Sequence, residues 1–476
     1  MGYMVGTGID GLDTVIGGGF PKGSLILLAG NPGTGKTAFS ARFIAKGAES
    51  DEPGIYVSFA EAEDTLIENL SGHLNIDLTK FQLDRKIKIL DYTAMREMVT
   101  STILDEILRE VQLLKAQRLV VDSYSSLAQA FQKSNDARIA LNIIFGRIVR
   151  QLNCTTLMVV EVPQGSRRVG MGVEEFVADG AIMLRVRTLD GRLLRELEIR
   201  KMRGVKISER KLVFTLSGGF KAFPPFTHKK VGKIHRFDPI PDPPGKYSTG
   251  SIDMDEILGG GFSVGDSVLL EIGDEVSMAE YHLIVVPTIV NFISKGRAVL
   301  LIPTLGVDAE KAKQIGLSYG LTDDEINGLL KVCVAKTLGG DSDKPYMVAF
   351  EAKNPWEDYS KYLKIEEELN RKTGQPVMSV SGADTMISYY DESTYEKILG
   401  QDAIRIRKHN SIGIVLLKAG YESLSRRLGS VATTHLKIVK ENGCLLFYAV
   451  KPRTGLYAVE MDVSKGYPTP KFTPMV

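Results

Sequence analysis

The chain has 476 residues, of which 43% are hydrophobic and 25% charged, and its 59 basic and 58 acidic side chains leave a formal charge of +1. That length exceeds what one hydrophobic core usually supports, so two or more domains are expected. The balanced charge excludes a globally basic nucleic-acid or membrane-surface protein, and three scattered cysteines, Cys154, Cys333 and Cys444, argue for a reducing compartment and against a structural zinc site.

Residues 1–6 lack a basic stretch followed by an apolar core, and no apolar run reaches membrane-spanning length, so a cytoplasmic location is expected. The segment 7–20, whose triple glycine starts at Gly17, returns at 249–262 with its triple glycine at Gly259, 242 positions later (259 − 17). Each copy leads into a glycine and an apolar run, at 23–28 and 265–270. Turn chemistry alone explains such agreement poorly, and two homologous lobes are expected.

An apolar run at 24–29 leads into Gly30-Asn31-Pro32-Gly33-Thr34-Gly35-Lys36-Thr37 and then a helix-forming stretch. This is G-x-x-x-x-G-K-[ST] in the strand-to-helix context it requires. The glycines let the backbone curl until consecutive N–H groups point at a polyphosphate, and the helix adds the positive end of its dipole. The pattern assigns Lys36 to the β- and γ-phosphates and the Thr37 hydroxyl to Mg²⁺. ATP and Mg²⁺ are therefore the expected ligands.

Further strands are expected at 55–59, 118–122, 156–160 and 181–184, with amphipathic helical spacing at 103–114 and 137–152. This alternation suits a parallel α/β sheet, whose ligands bind beyond the carboxyl ends of the strands. Glu61, past the second strand, can orient or deprotonate an attacking water, or can join Glu63 and Asp64 in the first turn of the next helix. Asp122 ends its strand where a carboxylate steadies Mg²⁺ opposite the phosphate loop. Alone it would as readily cap the next helix; beside that loop the metal role is preferred. Glu161, after the next strand, is placed toward the γ-phosphate.

Six prolines, Pro224, Pro225, Pro239, Pro241, Pro243 and Pro244, mark 223–245 as an extended linker between a domain at 1–222 and a second at 246–476. Its Lys229, Lys230, Lys233 and Arg236 read as solvated charge. In the second lobe the stretch 271–280 stands where the phosphate loop belongs, without Gly-Lys-Thr and with Asp274, Glu275 and Glu280 to repel phosphate. The strand expected at 377–381 lacks a terminal Asp. Lys451-Pro452-Arg453 keeps the spacing of Lys201-Met202-Arg203 and is either a relic, the preferred reading, or a contact that still serves an intact site in the same chain or a neighbour.

Residues 7–20, the phosphate loop, Tyr56-Val57-Ser58-Phe59 with Glu61, Leu119-Val120-Val121-Asp122-Ser123, the stretch 172–180 and Lys201-Met202-Arg203-Gly204 together resemble the KaiC-like branch of the RecA/RadA P-loop ATPase superfamily. The resemblance covers nearly all of the first lobe. It implies two tandem RecA-like α/β domains, each a mostly parallel sheet flanked by helices, and a homo-oligomer, often a ring, with ATP at each subunit interface. It further implies that Lys201 and Arg203 reach a neighbour's nucleotide, delivering positive charge where it is needed on the phosphoryl group. The family commonly shows two adjacent glutamates where this chain has Ala60-Glu61, which implies slow hydrolysis if the missing one activates water. A slow ATPase still works as a switch, because tight binding shifts a conformational population.

RecA and RadA relatives carry a DNA-contacting loop near the position of Arg167-Arg168, and Arg426-Arg427 fall at a comparable point of the second lobe. No aromatic residue interleaves either pair, so strong single-strand binding is not expected. Thr433-Thr434 resemble the place of the phosphorylated pair in KaiC proper, without a phosphate loop in that lobe to serve it. The layout also resembles, more weakly, the archaeal gas-vesicle regulator D proteins. The expected function is Mg-dependent ATP hydrolysis in the first lobe with a regulatory or scaffolding second lobe. The alternatives are a nucleotide-gated regulator or adaptor with a protein partner, and a recombination accessory that binds DNA.

Overall fold

In the computed structural model, residues 3–74, 76–93, 100–129, 144–162, 177–336 and 344–476 are described. The chain divides into two compact units, Met1–Pro225 with Asn442–Cys444 and Pro474–Val476, and Phe226–Glu441 with Leu445–Thr473. The last three residues and the turn at 442–444 thus group with the first unit, a departure from a second domain running unbroken over 246–476.

In the first unit a short ribbon of β1 (Met4–Val5) and β2 (Phe20–Pro21) precedes a nine-stranded sheet. The sheet contains β3 (Leu25–Gly30), β4 (Gly54–Ser58), β5 (Ile87–Asp91), β6 (Arg118–Asp122), β7 (Thr155–Glu161), β8 (Gly180–Leu189), β9 (Arg192–Met202), β10 (Lys211–Thr215) and β11 (Lys221–Phe223). Its order is β11-β10-β9-β8-β3-β7-β6-β4-β5, and β3 lies parallel to both β7 and β8. Every residue of β3 and β6 is buried, as continuous apolar runs in parallel strands require, since helices cover both faces. Ile26 and Leu28 pack with Phe39 and Phe43 of the helix Lys36–Glu49, while Leu25, Leu27 and Ala29 face the opposite layer. The hairpin of β8 and β9 turns on Asp190-Gly191, both at positive φ (47° and 68°), the residues that a two-residue turn prefers. The helix expected at 103–114 is Thr100–Leu114; of 137–152, the described part is a π-type turn, Ile144–Gln151.

The second unit repeats this plan. The ribbon of β12 (Lys246–Tyr247) and β13 (Phe262–Ser263) precedes β14 (Asp266–Ile272), β15 (Val299–Ile302), β16 (Leu330–Ala335), β17 (Met347–Phe350), β18 (Met378–Gly382), β19 (Ile412–Lys418), β20 (Thr434–Glu441), β21 (Cys444–Lys451), β22 (Tyr457–Asp462) and β23 (Thr469–Pro474). The first sheet's order from its β5 edge, β5-β4-β6-β7-β3-β8-β9-β10-β11, reappears as β16-β15-β18-β19-β14-β20-β21-β22-β23, with β17 as an added edge strand. Both sheets are mostly parallel and flanked by helices, the RecA-type α/β class. No helix among the described residues is long and apolar enough to cross a membrane.

The repeated sequence at 7–20 and 249–262 is a structural clasp. Thr7 donates through its hydroxyl to Asp13 (2.7 Å) and Thr249 does so to Asp255 (2.7 Å), each closing the loop onto its own short helix. Gly8 (φ +80°) lies against the backbone of Arg42, and a Cβ on Gly250 (φ +74°) would stand 2.2 Å from the Pro287 carbonyl oxygen. A side chain has no room at either point, so the duplicated Thr-Gly reflects close loop-to-helix packing.

Candidate functional site

The loop between β3 and the helix Lys36–Glu49 occupies residues 31–35. Gly35 adopts φ +96° just before the helix, which has no side-chain cap and no acid in its first turn. Its first backbone N–H groups are therefore left to an external acceptor, an arrangement suited to an anion. Lys36, 8% exposed, donates to the carbonyl oxygens of Gly30 (3.0 Å) and Asn31 (2.9 Å). Burial pushes its pKa down, against the opposing pull of Glu161 and Asp122. Thr34 donates to the Asn31 carbonyl (2.8 Å) and the Asn31 amide to the Val162 carbonyl (2.7 Å), which fixes the loop's entry.

Beside the loop, Asp122 at the end of β6 accepts from the Thr37 hydroxyl (3.1 Å) and the Tyr56 hydroxyl (2.6 Å) through the same oxygen. It is 9% exposed. Burial raises its pKa, while the Tyr56 and Thr37 hydroxyls and Lys36 act to lower it and Glu61 adds to the rise. The structure therefore brings together Gly30, Asn31, Pro32, Gly33, Thr34, Gly35, Lys36, Thr37 and Asp122. Glu61 follows β4, held by its N–H to the Ser58 hydroxyl (3.3 Å), and its carboxylate accepts from Asn69 (3.4 Å). Glu161 ends β7 opposite Gly30 and donates its N–H to Ser125 (2.8 Å). The donor set of a hydroxyl and a carboxylate beside an ammonium and an uncapped helix suits a magnesium-bound polyphosphate.

Two residues beside the loop have no role assigned from the sequence. Tyr56 belongs to the recognised stretch, but its hydroxyl reaches Asp122 only through the β4–β6 pairing. Arg195, one of several charged residues alternating along β9, donates to the Gly33 carbonyl (3.0 Å). A cation on that carbonyl helps to turn the loop's N–H groups the other way. Strand register is the only signal for either, and it is not written in either segment alone.

Lys201 and Arg203 stand elsewhere. Met202 pairs with Gly180 at the start of β8, whereas the phosphate loop leaves β3 opposite Leu184, four residues or about 13 Å along the sheet. Lys201 donates to the Ala178 carbonyl (2.6 Å), and in the second unit Lys451 donates to the Gly429 carbonyl (2.5 Å). Each lysine thus makes its own local hydrogen bond to a backbone carbonyl.

Of the arginine pairs, Arg167 and Arg168 lie outside the described residues. Arg426 and Arg427 sit on a helix, Glu422–Val431, where the sequence suggests a loop. Arg427 is ion-paired with Glu396 (2.8 Å) and Glu392 (3.2 Å), so its charge is already met within the chain and its DNA role has no support.

The second unit's counterpart of the phosphate loop has the same length, residues 273–277 between β14 and the helix Met278–Ser294. Met278 and Ala279 stand 242 positions after Lys36 and Thr37. Here the helix start is closed by its own side chains. Glu280 accepts from the Ser277 N–H (2.7 Å) and pairs with Lys440 (2.8 Å). Lys418, opposite Ile272, replaces Glu161 and pairs with Asp384 (2.8 Å).

A family model described as "ATPase: KaiC" matches residues 5–220, and one described as "GvpD basic region 2" matches 236–310. Protein GvpD2 of Halobacterium salinarum is 26% identical over 95% of this chain and 94% of its own length. A UPF0273 protein of Thermotoga maritima is 35% identical over 45% of this chain and 92% of its own. The circadian clock oscillator protein KaiC of Synechococcus elongatus is 33% identical over 56% of this chain, a match that spans 51% of that protein.

The segment 236–310 contains four basic residues, Arg236, Lys246, Lys295 and Arg297. Arg236 pairs with Glu325 (2.6 Å), and Lys295 and Arg297 both pair with Asp242 (2.7 Å each). Lys246 donates to Ser263 (3.2 Å). All four are engaged within the second unit.

Proposed function

The chain belongs to the KaiC-like family of P-loop ATPases, and from that premise we propose that its first unit binds ATP with Mg²⁺ and hydrolyses it by attack of water on the γ-phosphate. The observation that carries this reading is the uncapped helix start at Gly35 beside the Thr37–Asp122–Tyr56 hydrogen-bond cluster. The loop N–H groups and Lys36 would bind the phosphates, and Thr37 and Asp122 would hold Mg²⁺, which would supply positive charge to the phosphate chain. Glu61 orients the attacking water. Tyr56 keeps the Asp122 carboxylate in one orientation, and Arg195 keeps the loop's carbonyls turned away from the nucleotide.

In calorimetry with Mg²⁺ present, the wild-type chain is expected to take up ATP and Lys36→Ala to take up none. Multiple-turnover phosphate release, lost in the same variant, is the expected sign of catalysis. Absence of nucleotide uptake by the folded wild-type chain overturns the proposal.

A second reading, a nucleotide-gated regulator with little turnover, is favoured by Ala60 and by the end-to-end likeness to GvpD2. Uptake without multiple-turnover release selects it. In both readings the second unit is regulatory or scaffolding, the protein works in the cytoplasm, and Lys201 and Arg203 act on the nucleotide of a neighbouring copy, since their own lies at the other end of the sheet.

A further inference from the structure

The second unit encloses a hollow of about 80 Å³ between one face of its sheet and the helices Pro355–Thr373, Ala383–Tyr389, Glu392–Lys408 and Glu422–Val431. One water needs roughly 10–15 Å³ of such space, so the hollow admits a molecule of several heavy atoms. Its wall is chiefly apolar and aromatic, with Leu269, Phe350, Met386, Ile398 and Leu428 beside four tyrosines.

The polar groups divide into two sets. Tyr359 donates to Asp402 (2.7 Å), Tyr390 to Asp358 (2.8 Å), and Tyr395 shares a hydrogen bond with Ser381 (2.7 Å). Asp402 also pairs with Arg405 (3.0 Å), and Asp358 accepts from the N–H groups of Glu351 (3.2 Å) and Ala352 (2.9 Å). These groups are satisfied. By contrast, the Ser267 hydroxyl is buried with no hydrogen-bond partner. The hydroxyl of Tyr362, a residue 6% exposed, has no hydrogen bond among the described residues but is itself not fully buried. An unmet buried hydroxyl is costly, and that of Ser267, beside the unpartnered Tyr362 hydroxyl on the wall of one apolar hollow, points to a ligand that meets both.

We propose that this hollow binds a small neutral aromatic molecule carrying a polar N–H or O–H, which packs against the tyrosine and aliphatic wall and hydrogen-bonds to Ser267 and Tyr362. An anion is disfavoured by like-charge repulsion from the two carboxylates on the wall, Asp358 and Asp402. A cation finds both carboxylates already saturated. The site lies wholly in the second unit, so the proposal stands apart from the nucleotide reading.

The test uses indole as the probe, with benzoate as an anion of similar size, on the full chain. Calorimetry and thermal melting are expected to show indole uptake and a raised melting temperature, no response to benzoate, and the same indole response in Lys36→Ala. Ala403→Phe, which fills the hollow, is expected to abolish uptake while holding or raising the melting temperature. Should that variant fail to fold, Tyr362→Phe removes only an unpartnered hydroxyl and is expected to weaken uptake at least fivefold without altering the melting temperature. Absence of indole uptake by the wild-type chain, or undiminished uptake by whichever variant folds, overturns the proposal.

Discussion

Asp122 is where the first unit concentrates its unfavourable chemistry, since a carboxylate in so dry a place is held by two hydroxyls on one oxygen and by the nearby ammonium of Lys36. Tyr56→Phe removes the shorter of those hydrogen bonds (2.6 Å). A hydrogen bond to a charged group is worth about 1.5–3 kcal/mol, so Mg-dependent nucleotide affinity is expected to fall about tenfold, with binding in the absence of Mg²⁺ little changed. Calorimetric titration with and without the metal checks this. Another buried charge is structural: Arg118, 1% exposed, pairs with Glu52 (2.6 Å) and donates to the carbonyls of Gly6 (2.8 Å) and Phe43 (2.7 Å). Arg118→Met strands the Glu52 carboxylate and is expected to cost about 3–5 kcal/mol in urea unfolding. The roles proposed for Lys36, Thr37 and Asp122 were legible because each sits at a fixed place in a short contiguous pattern. Tyr56 and Arg195 were not, because what makes them neighbours of the loop is strand pairing between segments far apart in the chain.

Between the units, the two strand-to-helix loops make a controlled comparison at equal length. The first leaves its helix start open; the second closes it with Ser277, Glu280 and Lys440. The sequence already pointed to the loss of phosphate contacts there, through the missing Gly-Lys-Thr, but not to what took their place, since Lys440 arrives from β20. The same strand brings His435 (2.7 Å) and Lys437 (3.2 Å) onto Glu271 of β14. Although burial acts to raise it, the Glu271 pKa is held down at about 2, against an ordinary 4.5, by hydrogen bonds from His435 and Ser425 and the charge of Lys437. Because the folded value lies below the unfolded one, the stabilisation is complete above about pH 4.5 and is lost as pH falls toward about 2. Glu271→Gln is expected to remove this acid limb from the second unit's urea-unfolding profile while leaving the first unit's unchanged.

For the whole molecule, the internal repeat announced a duplicated plan, and the strand order repeats with one added edge strand, β17. What the repeat conserves most visibly is the Thr-to-Asp clasp, a packing device; the duplication was therefore legible although the chemistry of the two copies differs. The sequence could not show how the charge of Arg427 is met, because a run of basic residues does not reveal acids on a neighbouring helix. If Lys201 and Arg203 serve another copy, Mg-ATP is expected to raise the mass measured by light scattering, and Arg203→Ala to lower turnover at least tenfold while leaving nucleotide affinity unchanged. A fully active monomer at all concentrations contradicts that role. On the proposed reading, the closed helix start at Ser277 sets the molecule's arithmetic: an assembly of such chains is expected to hold as many triphosphates as it has polypeptides, not twice as many, so that any signal encoded in its occupancy would be counted in whole chains.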